Sequence, residues 1–313
     1  MTTGAWPPVV RDWYKELFRY RVIEELFSEN HRTLLLTNEK GDSQLKLACI
    51  DASDRLAKSF ERVHSAVVFS ATLRPQEYFL DTLGLAGTAQ TLTLESPFAA
   101  EQLSCQVCGW IDTRFNSRQR SAPQLVELIK TVYAGKAGNY LVFFPSYAYM
   151  QEIFNLFKIA HPDVPVVIQE RGNPESRSEF LDHFVEESAT LGFAIMGGVF
   201  GEGIDYRGDQ LVGAIVVGTG LPGLGLEQNL LSEHFTAMGL DGFDYAFRYP
   251  GFTRVLQTGG RVIRSESGRG VVVLVDTRFN SAFYRSLFPA SWSPEYCSGN
   301  DQLKSVLRSF WMD

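Results

Sequence analysis

The chain has 313 residues, 45% hydrophobic and 21% charged, which suits two globular domains or one large one. Its net charge of −7 argues against a whole-molecule electrostatic grip on nucleic acid, so any such contact has to come from a local groove. No apolar run approaches the roughly 20 residues that span a bilayer. Met1-Thr2-Thr3-Gly4-Ala5-Trp6 lacks the basic-then-apolar layout of a secretory signal. No membrane partner and a cytoplasmic location are the expectations.

Trp13, Leu17, Tyr20 and Phe27 recur at helical spacing within residues 11–27, which predicts an amphipathic helix in need of a partner surface. Thr33 to Leu36, Leu45 to Ile50 and Ser65 to Ser70 read as strands, with a helix over Ser53 to Phe60. Leu103 to Trp110 also reads as a strand. Ser121-Ala122-Pro123 has the serine cap and early proline of a helix start, followed by Leu125, Leu128, Ile129 and Val132 on one face.

Tyr140 to Phe144 is uniformly apolar, as a strand buried on both faces must be. A helix with Met150, Ile153, Phe154 and Phe157 inward follows, then a strand over Val164 to Ile168 and a helix over Glu175 to Phe184. Further strands are Phe193 to Met196, Val212 to Val217 and Val271 to Val275. Continuous apolar strands alternating with amphipathic helices predict an α/β fold, a parallel sheet covered on both faces. The alternation restarts after Ser96-Pro97, which marks the best domain boundary.

Four segments carry candidate chemistry. Ser70-Ala71-Thr72-Leu73 ends an apolar run, where open α/β sheets bind ligands, although the same residues also serve as a plain helix cap. Phe143-Phe144-Pro145-Ser146-Tyr147 puts a hydroxyl and an aromatic at a strand end. That pair suits a phosphodiester contact with base stacking, or simply a strand-to-helix turn capped by Ser146. Gly197 to Asp205 holds four glycines in seven residues, so backbone can approach a phosphate or sugar, and brings the carboxylates Glu202 and Asp205 into the same turn. Gln257-Thr258-Gly259-Gly260-Arg261-Val262-Ile263-Arg264 places two arginines on one side of a predicted helical turn, with a glycine before the first. Guanidinium groups so placed can reach the charge that builds on a γ-phosphate.

Two further patterns invite site readings. Cys105 and Cys108 form a C-x-x-C, half of a zinc or redox signature, within a run that also reads as a strand with packed sulfurs; no metal site is expected. Gly218-Thr219-Gly220-Leu221-Pro222-Gly223 matches G-x-G-x-x-G, but Pro222 argues against the helix that a dinucleotide site requires. The five histidines form no cluster, and the chain contains no G-x-x-x-x-G-K-[ST].

Taken in order, these segments resemble the second half of superfamily 2 DNA helicases of the DinG/XPD family. Ser70 to Leu73 resembles motif III, Phe143 to Tyr147 motif IV, Gly198 to Asp205 motif V and Gln257 to Arg264 motif VI. Gly220-Leu221-Pro222, Asp244 to Gly251 and Asp276-Thr277-Arg278-Phe279 extend the likeness over roughly residues 41–285. The resemblance implies a RecA-like sheet of the P-loop NTPase type, with Arg261 and Arg264 as arginine fingers. It implies that Gln257 and Gly260 help seat phosphates, and that Gly201, Glu202, Gly203 and Asp205 couple nucleotide state to the DNA groove. Ser70 and Thr72 then link hydrolysis to domain movement, while Ser146 and Tyr147 face single-stranded or forked DNA.

The family's phosphate-gripping lysine and acidic box have no counterpart in this sequence. The resemblance therefore implies a truncated chain: 1–40 as the tail of a helical insert, 41–95 as the end of the first motor domain, and 96–313 as the second. ATP and Mg²⁺ would serve the full-length enzyme, with none bound tightly here and the missing N-terminal motor domain as partner. The expected function is the motor region of an ATP-driven 5′-to-3′ helicase, inactive when isolated. The alternatives are a non-catalytic DNA-binding or docking relic, and an unrelated doubly wound enzyme with Glu202 and Asp205 as acid and base.

Overall fold

The structure, a computed structural model, describes residues 6–38, 41–172, 174–198, 200, 210–262 and 268–312. The chain divides into two compact units. One comprises Met1–Val68, Gln76–Gln90 and Gly225–Gly242; the other comprises Phe69–Pro75, Thr91–Leu224 and Phe243–Asp313.

The smaller unit begins with α1 (Pro8–Glu25), opened by a proline that needs no helical N–H partner there. None of the α1 side chains is buried, and Trp13 stays 63% exposed. β1 (His31–Thr37) and β2 (Ser43–Cys49) form an antiparallel hairpin in register from His31↔Cys49 to Thr37↔Ser43. Asn38 and Asp42 close it through Asn38 Nδ2 to Asp42 Oδ2 at 2.9 Å and Asp42 N to Asn38 Oδ1 at 2.9 Å, the side-chain turn chemistry that favours these residues. Buried Asp51 accepts from Ser53 N at the start of α2 (Ser53–Phe60) and lies 3.2 Å from His234 Nε2 on the helix Leu226–Ala237. α3 (Gln76–Thr82) completes this unit.

The larger unit is built, among the described residues, on a seven-stranded parallel sheet in the order β5-β6-β4-β7-β8-β3-β9. Its strands are β3 (Leu103–Cys108), β4 (Tyr140–Phe144), β5 (Val166–Ile168), β6 (Leu191–Ile195), β7 (Gly213–Val217), β8 (Gly270–Val275) and β9 (Glu295–Cys297). The three central strands β4, β7 and β8 are buried at every residue, which is why their sequences are apolar without alternation. Side chains at alternate positions feed two separate cores. One packs against α4 (Arg118–Tyr133), α5 (Tyr147–Ala160) and the helix Asn300–Met312, the other against the helix Tyr249–Gly259. α6 (Pro174–Asp182) follows β5. Each buried Val, Leu or Phe contributes about 1.5–3 kcal/mol, so the sheet dominates the stability of this unit.

Three sequence expectations need correction. Ser65–Ser70 joins no strand ladder among the described residues: Val67 is 84% and Phe69 88% exposed. An apolar run becomes a strand only when neighbours satisfy its backbone, and this one has none. The helix expected to open at Ser121 begins at Arg118, after Asp112 has accepted from Arg114 N and Ser117 Oγ at 3.0 and 2.9 Å. Ser121 instead donates to Asp112 O at 2.7 Å from inside the helix. Finally, the helix bearing Gln257 stops at Gly259, so Arg261 lies in the turn beyond it rather than on a helical face.

Candidate functional site

Because every pairing in the large sheet is parallel, the C-terminal ends of its strands share one rim, where open α/β sheets gather ligand-binding groups. The rim holds Asp112 and Thr113 beyond β3, Asp276 after β8, Gly218 and Thr219 after β7, Pro145 to Tyr147 after β4, Gly197 after β6 and Gln169 after β5.

At its centre lies a buried ionic cluster. Asp276, fully buried, accepts from Arg278 N at 2.7 Å, from Arg278 Nε and Nη2 at 2.8 Å each, and from the Thr113 hydroxyl. Burial disfavours the Arg278 charge, but the Asp276 hydrogen bonds and charge outweigh it and raise its pKa. Asp112 beside it is also partly desolvated, yet the Arg114 N–H, the Ser117 hydroxyl and the Arg114 and Arg278 charges hold its pKa below the ordinary value. Tyr149, pushed up by burial, stacks under Arg118 at 4.2 Å from the guanidinium carbon to the ring.

The helix Tyr249–Gly259 carries Gln257, half-buried on its last turn. Its last residue is a glycine because the last turn is pressed onto Trp292 and β8. A Cβ on Gly259 would lie 2.4 Å from Trp292 Cη2 and 3.1 Å from Val272 Cγ1. Gly260, by contrast, is exposed, so the close approach belongs to Gly259 rather than to the glycine next to Arg261. Arg261 follows at once, its N–H reaching Thr258 O at 3.4 Å. One turn upstream, Arg254 packs on the start of the glycine-rich loop: a Cβ on Gly197, where φ is +73°, would sit 3.2 Å from Arg254 Cδ. The helix therefore links the loop after β6 to the arginine segment. Gly201, Glu202, Gly203, Asp205 and Arg264 lie outside the described residues.

Ser146 caps α5, accepting from Tyr149 N at 3.4 Å. Tyr147, the first residue of α5, lines an open groove of about 590 Å³ together with Gln169, Glu170 and Arg171. Ser70 and Thr72 form a local hydroxyl turn, with Oγ to Oγ1 at 3.2 Å and Thr72 N donating to Ser70 Oγ at 3.2 Å.

The two glycine and cysteine patterns resolve as packing. Gly220 takes φ +69°, and a Cβ there would meet Gly251 O at 2.3 Å, so this loop lets two backbones touch. Cys105 and Cys108 are three residues apart on β3, and the period of two sends them to opposite faces and different cores. Burial raises both thiols, and it pushes Cys297 on neighbouring β9 up to about 11, helped by the Glu295 charge.

The fold is that of a RecA-like second helicase domain: among the described residues, seven parallel strands with helices on both faces. The sequence profile of the helicase C-terminal domain matches residues 129–295. The chain belongs to this family, as the C-terminal region of a DinG/XPD-type helicase. It is 29% identical over 260 residues to the ATP-dependent DNA helicase YoaA of Escherichia coli, covering 80% of this chain and 39% of that protein. It is 27% identical over 264 residues to the helicase subunit XPD/RAD3 of the general transcription and DNA repair factor IIH of Saccharomyces cerevisiae, covering 75% and 32%. A solved XPD helicase superposes with a TM-score of 0.64 at 17% identity, over 90% of this chain and 50% of that one, a likeness of fold. The chain thus spans well under half the length of these two curated relatives.

Sequence reasoning did not single out Gln169, Arg171 or Thr113 as site residues. Thr113 lies in a loop and acquires its meaning only when β3 and β8 pair. Asp276 and Arg278 entered only as part of the family pattern. A D-x-R directly after the apolar run Val271–Val275 was the available signal.

Proposed function

We propose that this chain is the C-terminal motor region of an ATP-dependent 5′-to-3′ DNA helicase. The observation that carries the reading is the helix Tyr249–Gly259, which holds Gln257, leads into Arg261 and packs Arg254 on the glycine-rich loop after β6. One helix then connects the phosphate side to the Gly197 turn, upstream in sequence of Glu202 and Asp205. YoaA and XPD/RAD3, to which the chain is similar, are named as helicases, YoaA as an ATP-dependent DNA helicase.

In this reading Arg261 and Arg264 reach the γ-phosphate of ATP held by the N-terminal motor domain of the same polypeptide, and Gln257 and Gly260 seat it. The residues present fit only that side of the nucleotide: guanidinium and amide donors are here, whereas a phosphate-gripping lysine motif is absent from the sequence. ATP with Mg²⁺ supplies the driving hydrolysis. Ser70 and Thr72 transmit it between domains, Gly201, Glu202, Gly203 and Asp205 pass it to the DNA groove, and Ser146 and Tyr147 border single-stranded or forked DNA. The exposed apolar runs at Val67 to Phe69 and at Leu92 and Leu94 are what remains when strands lack the sheet they belong to, and the N-terminal motor domain supplies that sheet.

Steady-state ATP hydrolysis by the full polypeptide tests this. Arg261→Ala should lower kcat by about a thousandfold or more with nucleotide binding retained. The isolated chain should turn over no ATP. Unchanged turnover in Arg261→Ala, or hydrolysis by the isolated chain, would refute the assignment.

A further inference from the structure

Gln169 extends β5 by one place. Its N–H donates to Phe193 O at 2.8 Å, and its side-chain Oε1 accepts from Ile195 N at 2.8 Å, as the next ladder carbonyl would. A backbone N–H can only donate, so the amide orientation is fixed: oxygen toward Ile195, nitrogen away from it. That nitrogen donates to the Tyr147 hydroxyl at 3.0 Å. The phenol oxygen is thereby an acceptor from Gln169, and its own proton is left for an acceptor in the groove.

Beside it, the Arg171 guanidinium carbon lies 5.7 Å from the centre of the Tyr147 ring. Among the described residues no carboxylate comes within ion-pair distance of Arg171. Glu170 and Gln151 also line the groove. The glutamate opposes a loosely held anion, so binding depends on directed hydrogen bonds rather than on net charge. A phenolic O–H, an amide N–H and a guanidinium are all donors. A base edge presents donors as well as acceptors, whereas a phosphodiester presents only acceptors.

We propose that Gln169 is a positioning residue that makes the Tyr147 hydroxyl a donor, and that this hydroxyl and Arg171 together grip one phosphodiester of single-stranded DNA. The inference rests on the DNA-binding reading above and assigns that contact to particular atoms.

The test is anisotropy of a labelled thymidine oligonucleotide titrated with this chain over a salt series. Tyr147→Phe should weaken binding about tenfold, the loss of one hydrogen bond to a charged group. Arg171→Ala should reduce the magnitude of the log–log salt slope by about 0.7. Gln169→Leu should weaken binding in the parent but have no further effect in the Tyr147→Phe background, a coupling that a purely structural role does not produce. Should Gln169→Leu not fold, Gln169→Glu keeps the acceptor for Ile195 N and should bind more weakly, since a carboxylate takes the phenol proton. If the parent chain binds and all the variants match it, the phosphodiester grip is overturned while the helicase assignment stands. Failure of the parent to bind at all overturns the grip together with the DNA-binding reading of this groove, and leaves the family assignment untouched. An equal effect of Gln169→Leu with and without the Tyr147 hydroxyl removes the positioning role alone.

Discussion

Replacing Asp276 by alanine removes one partner of a buried ion pair and strands the other. The carboxylate has no solvent exposure and accepts three hydrogen bonds from Arg278 and one from Thr113. Breaking a buried pair by deleting one member costs about 3–5 kcal/mol. Arg278 keeps 26% of its side-chain surface exposed, so water recovers part of that and the low end applies. Loss of the cap on Arg278 N adds about 1 kcal/mol. The expected destabilisation of the larger unit is therefore about 3–4 kcal/mol, against a typical 5–15 kcal/mol for a whole domain. Urea unfolding measures it as a lower midpoint with an unchanged slope. Asp276→Ala combined with Arg278→Met should cost clearly less than the two single changes added together. A loss below about 1 kcal/mol for Asp276→Ala, or strict additivity with Arg278→Met, would show that solvent screens the pair and that the burial argument fails.

Other expectations follow from the same geometry. Gly259→Ala places a methyl 2.4 Å from the Trp292 ring and should destabilise by about 1–3 kcal/mol on the same urea assay; a neutral effect would mean that the indole moves freely. Of the four cysteines only Cys49 is exposed, so a thiol reagent should label one site in the folded chain and four after unfolding, and fast labelling of Cys105 would contradict its buried face. The Asp112 pKa is lowered in the folded state, so its contribution to stability is fully present above the ordinary value of 3.8 and is lost as pH falls through the folded value. Asp112→Asn should therefore flatten acid unfolding in that window while leaving neutral behaviour to the lost Arg114 and Ser117 contacts, which a pH series of urea midpoints would measure.

Much of the sheet was legible because burial on both faces leaves little ambiguity: β4 spans Tyr140–Phe144 as the apolar run predicts, and α2 spans Ser53–Phe60. Ser146 could be read as a helix cap because a hydroxyl after a proline-ended strand has few other uses. The run at Ser65–Ser70 misled for a reason of principle: apolar composition reports a tendency to pair, and pairing depends on strands elsewhere. β9 is three residues long with exposed Glu295 at its start, too short to show a period. The site was legible only in part. The sequence puts Arg261 on a helical turn, whereas the helix ends at Gly259. Gln169 was hidden because its side-chain partners, Ile195 and Tyr147, are 26 and 22 residues away in the chain.

The order of the large sheet also bears on how this protein behaves when concentrated. Both outer strands, β5 and β9, are only three residues long, so neither offers a backbone template on which a second molecule could add a strand of useful length. Polymerisation through edge pairing is thereby blunted at both ends. The sticky places on offer are instead side chains, among them Phe69, Val67, Leu92 and Leu94, each at least 78% exposed. Self-association of this chain should therefore respond to charge placed at those four positions and be indifferent to prolines placed in β5 or β9.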